Sequence, residues 1–464
     1  MKAIGAAPCS STHDFPISRL TDSRITNHES RVTSHESRVT SHESPITNHG
    51  SRVTGHESRV TSHISEGKAM AKKATNKAAP QAKRNGRQPK YPRIDERAAA
   101  NFVSLQEIVL AARRNLPQHL WDHLSGGSDS ETTLLRNRQA LDSLALRQRV
   151  LVDVREIDIS TTLLGQKLAS PVFLAPVGGF VGFVHPEGAR NVARAAVAHG
   201  TTAFISTGAK PGLEAAQEAV EQPLIFQLYV RADHRWVEDI LDRAKAAGYR
   251  ALCVCVDRNY YGRRERDIIS RANVREGFGD PKYQMGLNWN DLIWMKERMK
   301  LPLILKGVAT AEDARMSIEH GADVVYVSNH GGRQLDHGQG TIEVLPEVVA
   351  AVDGRAEVLF DGGVLRGTDV VKALCLGARA VGVGKLLGWG LAAAGEPGLK
   401  RMLELMDVEI RTALGLMGAT SLKQLNPSWV RAAHPVRPAS QTNAYPWFQE
   451  SVRAGERQNG RAEG

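Results

Sequence analysis

The segment Ser328-Asn329-His330-Gly331-Gly332-Arg333-Gln334-Leu335-Asp336 sets an imidazole three residues ahead of a guanidinium, across two glycines. Histidine titrates near neutrality and can take a proton from a bound substrate, whereas a guanidinium fork can hold a carboxylate through two parallel hydrogen bonds. Four other stretches carry related groups: Gly262-Arg263-Arg264-Glu265, Lys306-Gly307, Asp361-Gly362-Gly363 and Gly382-Val383-Gly384. The glycines of the last two let backbone amides approach a phosphate, and a helix start at Gly367-Thr368 adds its dipole. A lone loop arginine is ordinarily a surface ion pair, and a lone histidine more often caps a helix than catalyses. These residues make a site only if the fold brings them together.

The elements that must do so begin near Phe102, where Ser104 and Glu107 have capping-box spacing ahead of Ile108, Val109 and Leu110. Eight short apolar runs follow, over 172–176, 203–206, 224–228, 252–256, 303–306, 324–328, 358–361 and 380–384. Helical patterns over 187–199, 311–320 and 368–376 are examples of the connections between them. Strands apolar on both faces that alternate with helices imply a parallel sheet, and eight such units imply an α/β fold closed as a (β/α)8 TIM barrel. An open doubly wound sheet is the alternative, but no Gly-x-Gly-x-x-Gly follows the first run. In a barrel the groups just past each strand's C-terminal end face the active site. Those positions are Gly178, Ser206, Gln227 with Tyr229, Asp257, Lys306, Ser328 with His330, Asp361, and Gly384 with Lys385. Caps and turns explain one or two polar residues there, not a whole ring.

Further stretches fix a resemblance: Ala175-Pro176, His185-Pro186-Glu187-Gly188 and Phe226-Gln227-Leu228-Tyr229, in order with those above. From about residue 102 to 430 the chain resembles the FMN-dependent 2-hydroxy-acid oxidising enzymes, which include glycolate oxidase, lactate oxidase, mandelate dehydrogenase and the flavocytochrome lactate dehydrogenases. The resemblance implies oxidation of an L-2-hydroxy acid to the 2-oxo acid, with electrons leaving to oxygen or another acceptor. It implies that Arg264 and Arg333 clamp the substrate carboxylate, that His330 is the base, that Asp257 offsets the imidazolium and that Tyr229 bonds the substrate hydroxyl. Lys306 matches the lysine beside flavin N1. Pro176, Val177, Gly178, Ser206, Gln227 and Ser328 match ring contacts, with Cys255 where a threonine usually stands. Asp361, Gly362, Gly363 and Gly384 fall at the phosphate. A homotetramer or larger assembly is also implied.

The chain departs from that family at several places. His123 occupies the position of a tyrosine that helps hold the carboxylate, and its charge is expected to vary near neutral pH. Gly208 replaces an aromatic residue and Gly178 is the small residue over the flavin, which predicts a roomier pocket for a larger, aromatic or long-chain hydroxy acid. Leu365 and Lys385 replace two phosphate arginines, leaving Arg366 as a substitute and predicting weaker FMN binding. The segment 271–287 after the fourth run is short, which leans towards a soluble enzyme.

The rest of the chain limits the partners. The net charge is +10, yet residues 71–93 hold eight Lys/Arg and no acid, and the body from residue 94 onward is close to neutral. Nucleic acid is therefore not an expected partner, and the basic stretch reads as a solvated linker that can touch an anionic lipid surface. From Ile25 to Ile64 a seven-residue repeat sets His28, His35, His42, His49, His56 and His63 in register. It supplies one apolar position per heptad where a coiled coil needs two, and Pro45 interrupts it, so disorder is expected and no metal site. Ser65-Glu66-Gly67-Lys68 ahead of Met70 suggests that translation starts at Met70. Four cysteines make neither a disulfide framework nor a ligand pattern, and with no secretion signal or apolar span a cytoplasmic location is expected. The expected organisation is a repeat segment over 1–69, a basic linker over 70–100, the FMN-binding barrel over 101–435 and a polar tail over 436–464. Two other functions stay open. One is a flavoenzyme acting on a modified peptide or amine, which His123, Gly178 and Gly208 permit. The other is a non-catalytic barrel whose basic stretch binds nucleic acid, which leaves 330–333 without a reason.

Overall fold

The computed structural model describes residues 91–271, 279–448 and 450–451. The heptad repeat, Met70 and the basic linker up to residue 90 lie outside the described residues. Eight parallel strands form where the apolar runs stand: β1 (Val172–Leu174), β2 (Phe204–Ser206), β3 (Ile225–Leu228), β4 (Ala251–Cys255), β5 (Leu303–Val308), β6 (Val324–Val327), β7 (Glu357–Phe360) and β8 (Ala380–Val383). Neighbours in the sheet run β1-β8-β7-β6-β5-β4-β3-β2. Leu174 pairs with Ala203 across the remaining gap, its N–H donating to the carbonyl of Thr202 at 3.1 Å, so the barrel closes. Closure leaves no sheet edge and excludes the doubly wound alternative.

Alternation along each strand divides two cores. Phe173, Phe204, Ile225, Ala251, Cys253, Ile304, Val324, Tyr326, Leu359 and Ala380 fill the barrel interior, whereas their neighbours Val172, Leu174, Leu252, Val254, Leu303 and Leu305 face the helices. One unanticipated element serves the interior. A hairpin of Thr161–Leu163 and Gln166–Leu168 turns on Leu164 and Gly165, both at positive φ, and adds Leu163 and Leu168 to that core. The Leu164 N–H donates to Glu357 at the start of β7 over 2.7 Å, so the hairpin closes the end opposite the rim.

Three helices precede the barrel: α1 (Leu105–Asn115), α2 (Gln118–Ser125) and α3 (Thr132–Asp142). The capping box expected at α1 is not made: the Ser104 side chain caps nothing, and Glu107 accepts from the Val103 N–H at 2.7 Å, one residue ahead of the N-cap. The last long helix, Lys385–Met417, breaks at Ala394 and Gly395 and packs against α1.

The polar tail expected from 436 is partly wrong. Tyr445 is fully buried and donates to the carbonyl of Leu365 at 2.6 Å, and Phe448 stacks on Trp121 with ring centres 6.0 Å apart. These two aromatics cross to buried partners, so the segment up to 448 belongs to the folded body. No helix among the described residues is long and apolar enough to cross a membrane.

Candidate active site

The rim assembles around His330, in the loop after β6. Its φ is +59°, and Gly331 and Gly332 follow at +66° and +74°, a left-handed run that aims the imidazole inward. Only glycine fits at 332, where a Cβ would lie 2.4 Å from the Leu134 nitrogen. Across the barrel Asp257 stands two residues past β4, and Gly307 lets it approach β5, since a Cβ there would lie 2.5 Å from the Asp257 Cβ. His330 Nδ1 is 3.2 Å from each Asp257 oxygen, and Nε2 is 3.2 Å from the Tyr229 hydroxyl. The carboxylate fixes the tautomer: Nδ1–H donates to Asp257, leaving the Nε2 lone pair towards Tyr229. Burial pushes His330 below its ordinary value although Asp257 opposes it. Burial alone would raise Asp257, but His330 and Lys306 hold it at about 2. The pair is therefore neutral imidazole beside carboxylate. Cys255 donates to Asp257 at 2.9 Å and does not line the cavity, so the thiol acts on the dyad's carboxylate.

Arg264 and Arg333 meet, as the sequence implied. The Arg264 Nε–H donates to the Arg333 carbonyl at 3.4 Å, and both side chains line the cavity with His330 and Tyr229. Arg333 is held from behind by the last carbonyls of α2, donating to His123, to Leu124 at 3.1 Å and to Gly126 at 3.1 Å. Those carbonyls carry the negative end of the helix and orient the guanidinium. Burial pushes both arginines below their usual range, and Arg264 adds to the effect on Arg333. Such crowded cations await an anion.

His123 differs from its expectation. Its Nδ1 sits 3.0 Å from Asp267, and burial, opposed by that carboxylate, lowers it to about 4, so it stays neutral near pH 7. With Nδ1–H given to Asp267, its Nε2 accepts and does not donate.

The cofactor end lies beside this group. Lys306 donates to Ser328 at 2.7 Å and pairs with Asp361 at 3.3 Å, while Ser328 and Tyr326 both donate to Asp361. Burial would lower Lys306, but Asp361 and Asp257 raise it, so the charge persists. Pro176, Val177, Gly178, Gly362, Gly363, Gly384 and Lys385 line the same cavity. Lys385 donates to the carbonyl of Ser125 at 2.7 Å, and burial, then Arg333, pushes it well below its usual value. Gln227 is fully buried, yet neither its Oε1 nor its Nε2 has a partner among the described residues. Buried amides are rarely left so, although Gln227 does not itself line the cavity. Ser206 is buried, its Oγ accepting from the Gly208 N–H at 3.4 Å, and does not itself line the cavity. Arg366 is not brought there either. It pairs with Glu409 at 2.9 Å and lies over Tyr445, because its helix start faces the last long helix. The substitute expected for the phosphate arginine is thus engaged elsewhere.

Sequence reasoning missed Arg258, Tyr261, Ser440 and Gln441, which also line the cavity. Arg258 directly follows Asp257, so a wider reading of the strand ends would have found it. Ser440 and Gln441 carry no such signal. The room expected beside Gly208 is also taken: a Cβ there would lie 2.8 Å from an Arg231 Nη2. Neither Gly208 nor Arg231 lines the cavity.

Fold and rim together place the chain among barrel oxidoreductases that hold an organic cofactor. The model of the FMN-dependent dehydrogenase family matches residues 112–432, and the chain belongs to that family. It is 37% identical over 362 residues to an L-lactate oxidase from Nostoc sp., covering 72% of this chain and 99% of the relative. It is 38% identical over 355 residues to glycolate oxidase from Spinacia oleracea, covering 71% and 96%. Among solved structures, a single-residue variant of mandelate oxidase with benzoyl-formic acid superposes with a TM-score of 0.67 at 38% identity, covering 72% of this chain and all of that one.

Proposed function

We propose that the protein oxidises a 2-hydroxy acid to the 2-oxo acid with FMN, passing electrons to oxygen or another acceptor. One convergence carries the reading: His330, Tyr229, Arg264 and Arg333 line a single cavity. The unpartnered Gln227 amide, the buried Lys385 ammonium and the glycine loops at 362–363 and 384 fit FMN. They would hold its ring edge and its phosphate. FMN, when bound, supplies the two-electron acceptor.

The chain's own residues supply binding and proton transfer. Arg264 and Arg333 take the carboxylate, where bidentate charged hydrogen bonds fix its orientation. Tyr229, kept protonated by burial, donates to the substrate oxygen. His330 accepts a substrate proton at Nε2, and the imidazolium so formed faces Asp257 at 3.2 Å. Lys306 keeps a positive charge at the cofactor side, where negative charge arrives. The relatives carry hydroxy-acid oxidase names, which supports oxygen as acceptor and gives no support to a peptide or amine substrate. A homotetramer or larger, a cytoplasmic location and the domain division above complete the proposal, with the body extended to residue 448.

The test is anaerobic mixing of the FMN-loaded full chain with a panel of 2-hydroxy acids. Bleaching of the visible absorbance by members of the panel is expected. A spectrum left unchanged by all of them overturns the reading.

A further inference from the structure

The hydroxy-acid reading leaves the class of acid open, and the inference here rests on it. Arg264 and Arg333 suffice for one substrate carboxylate. The same wall carries another guanidinium. Arg258 lies with Cζ 4.4 Å from the Tyr229 ring centre and 4.6 Å from that of Tyr261. Arg264 lies 4.8 Å from the Tyr261 ring centre, and all four side chains line the cavity. Tyr261 is thus shared by one guanidinium inside the clamp and one outside it, whose carbons stand less than about 10 Å apart. A short dianion can span that gap.

Charge balance points the same way. Asp361 is the only acid lining the cavity among the described residues, and Lys306, Ser328 and Tyr326 engage it. Arg231 stands beside Gly208, and neither of them lines the cavity. Burial first, and Arg258 next, lower Arg231, and Arg258 also adds to the lowering of Arg264. Arg258, Arg264 and Arg333 along one wall suit an oxyanion better than a hydrocarbon tail.

We infer that the preferred substrate is a 2-hydroxy acid bearing a second oxyanion, a carboxylate or a phosphate, at the end remote from the reacting carbon, and that Arg258 is the residue that reads it. This replaces the aromatic or long-chain acid expected from Gly178 and Gly208. Arg258 is a specificity determinant; the clamp and the base are unchanged in role.

The experiment compares length-matched pairs on the FMN-loaded full chain: 2-hydroxypentanedioate against 2-hydroxyhexanoate, and 2-hydroxy-3-phosphooxypropanoate against 2-hydroxypentanoate. Anaerobic reduction of the flavin gives kcat/KM. At least one dianion should exceed its singly charged partner tenfold or more, and whichever pair shows it identifies carboxylate or phosphate as the distal group. Arg258→Gln should shrink that ratio at least tenfold, mainly through KM, and Arg258→Lys should restore part of it. A turnover-free readout guards against damage to the fold: pentanedioate should perturb the bound flavin spectrum at lower concentration than hexanoate, and this advantage should vanish in Arg258→Gln. Singly charged acids matching or beating both dianions, or a ratio unmoved by Arg258→Gln, overturns the inference while leaving the hydroxy-acid function standing. Failure of every acid to reduce the flavin removes the function itself.

Discussion

His330 Nδ1 stands 3.2 Å from both oxygens of Asp257, so one carboxylate governs the tautomer of the base and receives the charge that proton transfer creates. Replacing Asp257 by Asn removes that charge and lets the ring reverse its tautomer. The rate of anaerobic flavin reduction is expected to fall about 10²–10⁴-fold, the usual span for a general base. FMN should remain bound, because Asp257 does not line the cavity. His330→Ala should likewise stay yellow and reduce sluggishly. Stopped-flow absorbance measures both, and reduction at the wild-type rate in either variant removes the dyad from the reaction.

The pH dependence follows from the state of the same imidazole. The base works when neutral, and burial outweighs Asp257 in holding His330 below the ordinary 6.5. The acid limb of kcat/KM is therefore expected below pH 6.5, with activity lost as the pH falls through it. Asp257→Asn takes away the group that favours the protonated ring, so the residual activity should show its acid limb at still lower pH. A limb above 6.5 in the wild type contradicts the assignment.

Much of this site was legible because a barrel converts strand ends into neighbours. Eight apolar runs located β1 to β8 within two residues, and reading the residues at or just past the end of each run gave Tyr229, Asp257, Lys306, His330 and Asp361. What escaped depended on side-chain direction and on distant chain. Arg366 and Leu365 are adjacent in sequence, yet the helix start turns Arg366 to Glu409 while Leu365 lines the cavity. The freed space at Gly208 was countable from residue size, but not its filling by Arg231 from beyond β3. His123 meets Arg333 through its backbone carbonyl, whereas its neutrality comes from burial that outweighs Asp267, 144 residues away.

His123 carries a stability prediction of its own. Its folded value is about 4 and the unfolded value 6.5, so between these pH values the unfolded chain binds the extra proton. Stability is therefore expected to fall as the pH drops from 6.5 towards 4, by up to about 3 kcal/mol from this residue. His123→Gln removes the titrating group and should flatten that part of the profile. Denaturant unfolding of the FMN-loaded chain at pH 7 and pH 5 gives the comparison, and an equal slope in wild type and variant refutes the buried neutral imidazole.

The cofactor end offers a test of how a chain lacking both phosphate arginines keeps its FMN. Lys385 is buried in the cavity with an ammonium that donates to Ser125 and is disfavoured until an anion arrives. Ser440 and Gln441 close the same cavity, and Gln441 donates to Glu131 at 3.2 Å. Tyr445 anchors that segment by donating to the carbonyl of Leu365 at 2.6 Å. Lys385→Met removes a charged contact to a phosphate, for which a charge-assisted hydrogen bond of about 1.5–3 kcal/mol corresponds to roughly a ten- to hundred-fold rise in the FMN Kd. Tyr445→Phe strands a buried carbonyl at a cost of about 1–3 kcal/mol and frees the strap from Leu365. It should therefore both lower Tm and weaken FMN, whereas Lys385→Met should weaken FMN with little change in the apoprotein's Tm. Quenching of FMN fluorescence on titration with apoprotein, set beside thermal unfolding of the same samples, separates the two effects. Unchanged FMN affinity in both variants would mean that neither the ammonium nor the strap holds the phosphate end.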